Sequence, residues 1–300
     1  MTDSQTLQAF LKEVRPLVDA TLDRLVPTVD RAPARIHEAM RYSLFAGGKR
    51  IRPALVVLAG DVLGVERAVA LEGGAALEMI HTYSLIHDDL PALDNDDLRR
   101  GRATLHRQYD DATAILAGDS LLTLGLTLLA AGPTEVPGER RAAAVAMVGD
   151  AIGTLGMIGG QVDDLEATDA WPEDPASMLE AIHRRKTGAL LTACVRLAGI
   201  YAGADGGVER TLVDLGDHIG LMFQIADDIL DVEGTSGSLG KTAGKDAAAH
   251  KLTYPGLYGL DESKRLLAQA RDEALGLARE LPGEGGGFPG LIEYLVTRDH

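Results

Sequence analysis

The sequence predicts an all-α protein, a single domain of about ten or more helices over residues 1–300. Leu and Ala dominate a composition in which 46% of residues are apolar and only 4% are aromatic, which favours close-packed helices over a strand-rich core. Apolar residues recur at steps of three and four, and the alternation typical of strands is nearly absent. No shift in composition marks a domain boundary along the chain.

The first helix is predicted from one apolar stripe near the N-terminus. Its members are Leu7, Phe10, Leu11, Val14, Val18, Leu22 and Leu25. Similar helical patterns occupy residues 34–47, 53–63, 68–88, 112–130, 139–157, 176–201, 207–232, 262–280 and 289–298. Stretches rich in Gly and Pro, such as "FAGGKRIRP" and "ELPGEGGGFPG", separate these helices.

The net charge of −16 excludes a general nucleic-acid binder and a protein that binds anionic lipid, because both need a basic surface. The N-terminus, "MTDSQTLQAF", lacks the basic region and apolar run of a secretory signal. The longest apolar stretch, "LLTLGLTLLAAG", is shorter than the roughly 20 residues of a bilayer span. The sequence thus predicts a cytoplasmic protein without a membrane span, whose one cysteine, Cys194, is packed in the core.

Two glycine-rich stretches resemble nucleotide-binding motifs but fail on spacing. The stretch "GSLGKTAGKD" at 237–246 has Thr235 where a phosphate-binding P-loop requires Gly, and it follows a helical pattern instead of a strand. The stretch "GTLGMIGGQ" at 153–161 has the wrong spacing for a dinucleotide-binding loop and lacks flanking strands. We expect its glycines to permit a kink or a close approach of helices.

An acidic cluster follows a long apolar stretch near the end of the predicted helix 207–232. Asp227, Asp228 and Asp231 stand in "FQIADDILDVEG". Residues 227 and 231 are one helical turn apart, so their carboxylates leave the same face of the helix. Like charges at this spacing destabilise a helix unless a cation lies between them.

A similar acidic cluster begins at the end of the predicted helix 68–88. Asp88, Asp89 and Asp94 stand in "DDLPALDNDDLRR". Because Pro91 cannot continue the helical hydrogen bonds, we expect the helix to end or kink after Asp89 and to bring Asp94 back beside Asp88.

A solvated acidic surface is the alternative explanation for either cluster. Two observations favour a metal site: each cluster follows a long apolar stretch, and the aspartate pattern occurs twice, about 140 residues apart. Oxygen donors without Cys suit a hard ion such as Mg²⁺. This ion keeps several waters and commonly bridges carboxylates to a substrate phosphate.

Basic residues in glycine-rich or motif-like contexts stand out in this acidic chain. Each of them alone is compatible with an ordinary surface charge. Arg binds phosphate through paired hydrogen bonds and Lys binds it as a point charge, so together they indicate two anionic sites, one assembled on metal and one on direct basic contacts. The residues are Lys49 and Arg52 in "GGKRIRP", Arg99 and Arg100 after Asp94, Lys186 beside Thr187 in "RRKTGALL", and Lys241 in "GKTAGKD".

These segments, in this order, resemble the trans-isoprenyl diphosphate synthases. The resemblance is carried by "GGKRIRP", "HTYSLIHDDLPALDNDDLRRG", "GMIGGQ", "KTGALL", "FQIADDILD" and "GKTAGKD", and it runs from about residue 40 to residue 256. The chain is most similar to bacterial members that make farnesyl diphosphate. The resemblance implies an all-α bundle around a deep central cavity, a homodimer, and head-to-tail condensation of isopentenyl diphosphate with an allylic diphosphate.

The resemblance also implies roles for single residues. Asp88 and Asp94 would hold two Mg²⁺ ions and Asp227 a third, with Mn²⁺ as an alternative ion. Asp89, Asp228 and Asp231 would support or share that ligation. Isopentenyl diphosphate would be bound by Lys49, Arg52, His81 and Arg100. The allylic diphosphate would be held by Arg99, Lys186 and Lys241, with Thr187 and Gln224 near its reacting carbon.

The implied reaction breaks the allylic C–O bond to give a cation and free diphosphate, so catalysis requires stabilisation of the leaving anion. The alkene of the second substrate then attacks the cation, the departing diphosphate is expected to take the final proton, and water must be excluded. Tyr83 lies about 7.5 Å along a helix before Asp88. A bulky ring there would stop chain growth near fifteen carbons, and farnesyl-type members tend to carry an aromatic residue at that place.

Three other interpretations stay open. A geranylgeranyl diphosphate synthase of the same family shares these motifs. A metal-dependent phosphohydrolase with a His-Asp pair is suggested by "HDD" at 87–89 with His81 and Asp119, but it leaves the second acidic cluster unexplained. A terpene cyclase shares the aspartate chemistry but would lack the residues for a second substrate.

Other polar residues near these motifs have structural explanations of equal weight. His81 lies seven residues before Asp88 and so shares its helix face. His87 is expected to be a core or supporting histidine without a catalytic role. Gln161 and Asp164, in "GGQVDDLEA", are explained equally by a place near the active site and by helix packing.

Overall fold

The computed structural model describes residues 3–169, 172–233 and 251–297, without the side chains of residues 3–6 and 169. Helices make up almost all of the regular structure of these residues, which confirms the predicted all-α class. The stretch 237–246 and Lys241 lie outside the described residues.

The elements of the first half of the chain are α1 (Asp3–Leu25), α2 (Ala34–Leu44), α3 (Ile51–Leu63), α4 (Arg67–Asp88), β1 (Leu98–Arg99), β2 (Arg102–Ala103), α5 (Leu105–Gln108), α6 (Asp111–Ala131) and α7 (Gly138–Ile152). The elements of the second half are α8 (Met157–Asp169), α9 (Pro175–Ile182), a π-helix (His183–Gly188), α10 (Ala189–Ala202), α11 (Gly206–Glu233), α12 (Tyr254–Tyr258), α13 (Leu260–Glu280), a 3₁₀ turn (Pro282–Gly285) and α14 (Phe288–Thr297). β1 and β2 form a two-stranded antiparallel hairpin with Arg99 opposite Arg102.

Most predicted helices end within a few residues of the observed ones, and two predictions need correction. The pattern at 139–157 predicts one helix, whereas the chain turns at Gly153, whose carbonyl accepts the N–H of Gly156, before α8 begins. The pattern at 176–201 predicts a continuous α-helix, whereas its middle widens into the π-helix. The short α5, α12 and the hairpin carry too few residues to show a periodic pattern.

Contacts divide the chain into two compact units. The first, called here the N-terminal unit, comprises Phe10–Val57 and Glu66–Val145. Its central helix is α4, which packs against α2 and α6. Leu77, Met79 and Ile80 of α4 are fully buried, and each apolar side chain of this size contributes about 2 kcal/mol when removed from water.

The other unit, called here the C-terminal unit, comprises Met1–Ala9, Leu58–Val65 and Ala146–His300 within the described ranges. Its central helix is α11, which packs against α10, the π-helix and α13. A Cβ atom on Gly160 of α8 would lie 2.2 Å from the backbone nitrogen of Lys186. The glycine therefore permits the close approach of α8 to the π-helix, as the sequence predicts. The assignment of residues 1–300 to one domain stays a prediction.

Two helical stretches, Asp111–Ala131 and Gly138–Thr168, are long and apolar enough to cross a membrane by length and composition. About a third of each apolar stretch is buried within the protein, and core helices of soluble proteins can have the same length and composition. The predicted lack of a membrane span and the cytoplasmic location therefore stay predictions. Cys194 is buried in α10, as predicted.

Candidate active site

The first aspartate motif, Asp88 to Asp94, lies where α4 ends in the N-terminal unit. The helix ends at Asp88, and the N–H of Asp94 donates to the carbonyl of Asp88 at 2.9 Å. This bond brings Asp94 back beside Asp88, as the position of Pro91 predicts. The side chains of both aspartates are half-buried, so their carboxylates keep access to solvent.

Asp89 differs from its neighbour because it faces into the protein. Arg99 of β1 contacts it with two nitrogens: Nε lies 2.8 and 2.9 Å from the two carboxylate oxygens, and Nη2 lies 2.6 Å from Oδ1. Asp89 is only 3% exposed. Burial raises the pKa of Asp89, and the contact with Arg99 opposes that shift. The motif thus contains two carboxylates that are accessible to solvent, those of Asp88 and Asp94, and one, that of Asp89, that forms a buried ion pair.

The "GGKRIRP" segment is fixed by Arg50, which the sequence analysis did not single out. Its guanidinium is buried and donates to Asp19 at 2.9 Å, to Glu78 at 2.8 Å and to the carbonyl of Leu44 at 2.7 Å. Lys49 is exposed immediately before it. The charge pattern alone contained no signal that distinguishes the buried arginine from its neighbours.

Arg52 and His81 meet between α3 and α4. Nη1 of Arg52 donates to Nε2 of His81 at 3.1 Å, which places the imidazole proton on Nδ1. Burial and the nearby guanidiniums, with Arg52 first among them, hold the pKa of His81 well below its ordinary value. His81 is therefore neutral at pH 7 and offers one N–H to an anion.

Arg100 is held over the glycines of the same segment. Its Nη1 donates to the carbonyl of Gly47. Gly48 has φ of +128°, a conformation that side chains disfavour, and a Cβ atom there would lie 2.7 Å from Cζ of Arg100. The structure therefore brings Arg52, His81 and Arg100, three of the four residues predicted for isopentenyl diphosphate, to this part of the N-terminal unit.

Tyr83 lies on α4 between His81 and the aspartates. It is 6% exposed, and burial together with the charge of Asp88 raises its pKa to about 12. The phenol is thus neutral at pH 7 and buried within the protein.

The second aspartate motif lies in α11 of the C-terminal unit. Asp227 is exposed and Asp231 is half-buried. Asp228 is buried, accepts the N–H of Tyr254 at 2.9 Å and lies 3.8 Å from Nε2 of His183. Burial lowers the pKa of His183 to about 4, so its imidazole is neutral. Asp228 therefore fixes the start of α12 against α11.

The π-helix carries two of the predicted residues, Lys186 and Thr187. Nζ of Lys186 lies 2.6 Å from Oδ2 of Asp164, and Nζ of Lys251 lies 3.9 Å from the same oxygen. Lys251 was not assigned a role from the sequence. A π-bulge at a site of this kind is common because it redirects side chains that a regular helix would turn away.

Two glutamines near these residues differ in their surroundings. Gln224 is half-buried on α11, one turn before Asp227 and Asp228. The amide oxygen and nitrogen of Gln161 are buried and have no hydrogen-bond partner among the described residues. In the same residues, no three His, Cys, Asp or Glu side chains converge into a ready metal cage.

The chain matches the family model of the polyprenyl synthetases over residues 33–280. It is 42% identical over 300 residues to the farnesyl diphosphate synthase of Geobacillus stearothermophilus, with 98% of this chain and 99% of that protein covered. It is 48% identical over 268 residues to the large subunit 1 of a heterodimeric geranylgeranyl pyrophosphate synthase of Arabidopsis thaliana, with 87% and 71% covered.

A solved structure agrees with these sequence matches. The apo structure of a FPP/GFPP synthase from Zymomonas mobilis superposes with a TM-score of 0.86 at 32% identity, with 98% of this chain and 100% of that chain covered. The predicted class of enzyme, a short-chain trans-prenyltransferase, is confirmed by these matches. The chain therefore belongs to the polyprenyl synthetase family.

Proposed function

We propose that this protein is a Mg²⁺-dependent farnesyl diphosphate synthase, which joins isopentenyl diphosphate to dimethylallyl and then to geranyl diphosphate. The observation that carries the proposal is the near full-length similarity to bacterial farnesyl diphosphate synthases, at 42% and 43% identity. The buried Tyr83, five residues before Asp88, supports the fifteen-carbon product.

The N-terminal unit supplies the residues proposed to bind isopentenyl diphosphate. Arg52 and Arg100 offer planar donors that match phosphate oxygens, and the exposed Lys49 adds a point charge. His81 is neutral and points one N–H away from Arg52, so it donates a hydrogen bond without adding to the repulsion among the guanidiniums. Arg50 positions the segment that carries Lys49 and Arg52.

The donor set fits Mg²⁺ bound together with a diphosphate. All predicted ligands are carboxylates, and Mg²⁺ takes one or two of these together with waters and substrate phosphates, so a ready cage of three side chains is not needed. Asp88, Asp94 and Asp227 would hold the ions, with Asp231 in support. When bound, Mg²⁺ neutralises the diphosphate and favours its departure as a leaving group.

The remaining roles are those of side chains around the allylic substrate. Lys186, held by Asp164, presents its ammonium group to the diphosphate. Lys241, which is not among the described residues, is proposed from the sequence to bind the same diphosphate. The oxygen dipoles of Thr187 and Gln224 stabilise the allylic cation without forming a bond to it. Arg99 holds Asp89 in place and supplies positive charge beside the aspartates.

A geranylgeranyl diphosphate synthase is the second candidate, because plant enzymes of that name are 43% to 48% identical to this chain. The test is incubation of the purified protein with Mg²⁺, isopentenyl diphosphate and dimethylallyl diphosphate, followed by chromatographic sizing of the dephosphorylated products. Farnesol as the main product supports the proposal, and geranylgeraniol supports the second candidate. Release of phosphate without elongation would reject both.

The proposed chain-length residue is tested by Tyr83→Ala. Removal of the ring should shift the main product to twenty carbons or more, because the growing chain then meets no barrier beside α4. An unchanged product length in this variant would reject the role of Tyr83 and leave the prenyltransferase activity itself standing.

The protein is further proposed to act as a homodimer through α6. The buried side chains of this helix pack on α4, whereas Ile115 and Leu116 are 44% and 57% exposed. Exposed apolar faces of this kind mark interaction surfaces. Leu116→Glu should convert the dimer to monomer in light scattering, whereas the control Val29→Glu, at another exposed apolar residue, should not. A wild-type monomer would contradict this assignment.

A further inference from the structure

The ring of Tyr83 rests against the ring of His87, one turn later on α4. The two ring centroids lie 5.6 Å apart at an interplanar angle of 83°, an edge-to-face contact. We propose that His87 and Gly118 of α6 set the position of Tyr83 and are therefore further determinants of product chain length. This inference rests on the proposed function, in which Tyr83 limits the growing chain.

His87 is fixed across the contact between α4 and α6. Its Nε2 donates to the carbonyl of Ile115 at 3.1 Å and lies 3.9 Å from Oδ1 of Asp119. These contacts leave the ring little freedom to rotate, because rotation breaks the bond to Ile115. The imidazole therefore limits how far the phenol of Tyr83 can move toward α6.

Gly118 makes this placement of the imidazole sterically feasible. A Cβ atom on Gly118 would lie 2.2 Å from Nε2 and 2.5 Å from Cδ2 of His87, far inside contact distance. A glycine inside a helix costs about 1 kcal/mol relative to alanine, so the residue is unfavourable for α6 taken alone. The packing of His87 gives a physical reason for a glycine at this position.

A methyl group at residue 118 must displace the imidazole. The atoms that this methyl group would meet all belong to the side chain of His87, so the imidazole can give way, at the cost of its bond to Ile115, without a movement of α6. The displaced ring cannot keep both its bond to Ile115 and its contact with Tyr83. Gly118→Ala should push the ring against Tyr83 and move the phenol toward the growing chain, whereas His87→Ala removes the imidazole and lets the phenol retreat.

The experiment measures product ratios for the full-length enzyme with Mg²⁺, isopentenyl diphosphate and dimethylallyl diphosphate. Gly118→Ala should raise the ratio of ten- to fifteen-carbon product about fivefold, equivalent to about 1 kcal/mol between competing barriers. His87→Ala should raise the ratio of twenty- to fifteen-carbon product by a similar factor. Gly276→Ala on α13, an exposed helix glycine with open space at its Cβ, is the matched control and should change neither ratio.

The double variant Gly118→Ala/His87→Ala tests the route through the imidazole. If Gly118 acts only through His87, the double variant should give the product ratio of His87→Ala alone. An unchanged ratio in Gly118→Ala, or a Gly118 effect that persists without His87, would overturn the inference. Tyr83→Ala distinguishes this inference from the proposed function: a product shift in Tyr83→Ala with none in Gly118→Ala rejects the roles of His87 and Gly118 and keeps the role of Tyr83.

Discussion

The two aspartate motifs begin with the same pair of adjacent aspartates, and in both the second aspartate faces the protein. Asp88 is half-buried and Asp227 is exposed, whereas Asp89 and Asp228 are 3% and 6% exposed. Consecutive helical residues are rotated by about 100° around the helix axis, so the two side chains of a pair point in different directions. We call Asp88 and Asp227 the outward aspartates, and Asp89 and Asp228 the inward aspartates. The same pair of residues therefore supplies, in each motif, one carboxylate that is accessible to solvent and one that contacts the protein interior.

The partners of the inward aspartates differ between the motifs. Asp89 is paired with a charged guanidinium, that of Arg99. Asp228 accepts a neutral backbone N–H, that of Tyr254, beside the neutral imidazole of His183. Loss of the carboxylate at Asp89 leaves the guanidinium of Arg99 as a buried charge, whereas loss of the carboxylate at Asp228 removes the acceptor of the buried N–H of Tyr254. The two motifs should thus respond unequally to the same substitution.

The largest expected effect is loss of turnover when an outward aspartate is removed. Asp88→Ala and Asp227→Ala should each lower kcat by roughly a thousandfold, the scale of losing a main stabiliser of developing negative charge. Their melting temperatures should stay near the wild-type value, because both carboxylates keep access to solvent and removal of one of them relieves the repulsion between like charges in its motif. Steady-state kinetics and thermal unfolding of both variants check this. A fall in melting temperature as large as that of an Asp89 variant would contradict the proposed division between outward and inward aspartates.

The next effect in size is on stability at Asp89. Asp89→Ala and Asp89→Asn should each lower the free energy of unfolding by about 3 kcal/mol, because both leave the Arg99 guanidinium without its carboxylate. Urea unfolding gives the values. The double variant Asp89→Asn/Arg99→Met, which removes both charges, should recover part of the loss. No recovery in the double variant would show that the ion pair is not the cause.

Asp228 should show a smaller and more selective effect. Asp228→Ala leaves the buried N–H of Tyr254 without an acceptor, which costs about 2 kcal/mol. Asp228→Asn keeps an amide oxygen for that N–H and should lose less than half as much. Equal losses in the two variants would mean that the charge of Asp228, and not its role as an acceptor, matters to the fold.

The smallest expected effect concerns pH and His81 in the N-terminal unit. Its pKa is low in the folded protein and ordinary in the unfolded chain, so below pH 6.5 the unfolded state binds the extra proton. Stability should therefore fall as pH falls, by about 1 kcal/mol between pH 7 and pH 5.5 from this group. His81→Gln should reduce the wild-type fall by that amount in urea unfolding at the two pH values. An equal fall in the free energy of unfolding in both proteins would contradict the low pKa of His81 in the folded protein.

The sequence was sufficient to predict the helical class, most helix positions and the break after Asp88, because these follow from periodicity and from Pro91. The sequence was also sufficient to identify the charged residues of the two aspartate motifs and of the basic segments. It did not reveal which aspartate of each pair turns inward, because that choice depends on Arg99 of a two-residue strand and on Tyr254, which follows Asp228 by 26 residues.

Other features depend on contacts that no local pattern carries. Arg50 is one of three basic residues in "GGKRIRP", and only its packing against Glu78 and Asp19 separates it from Lys49 and Arg52. The π-helix interrupts a helical pattern that is locally regular. The need for Gly118 becomes visible only when His87 of another helix lies over it.

The division between inward and outward aspartates is tested most directly by calorimetric binding of inorganic pyrophosphate, with and without Mg²⁺, to the wild type and to four variants. The variants are Asp88→Asn, Asp89→Asn, Asp227→Asn and Asp228→Asn. Binding by the wild type should require Mg²⁺ to reach full affinity, and Asp88→Asn and Asp227→Asn should weaken it at least tenfold more than the two inward variants, a difference of about 1.4 kcal/mol. Equal binding without Mg²⁺ would contradict the proposed metal site, and equal losses at inward and outward aspartates would contradict the division of roles between them.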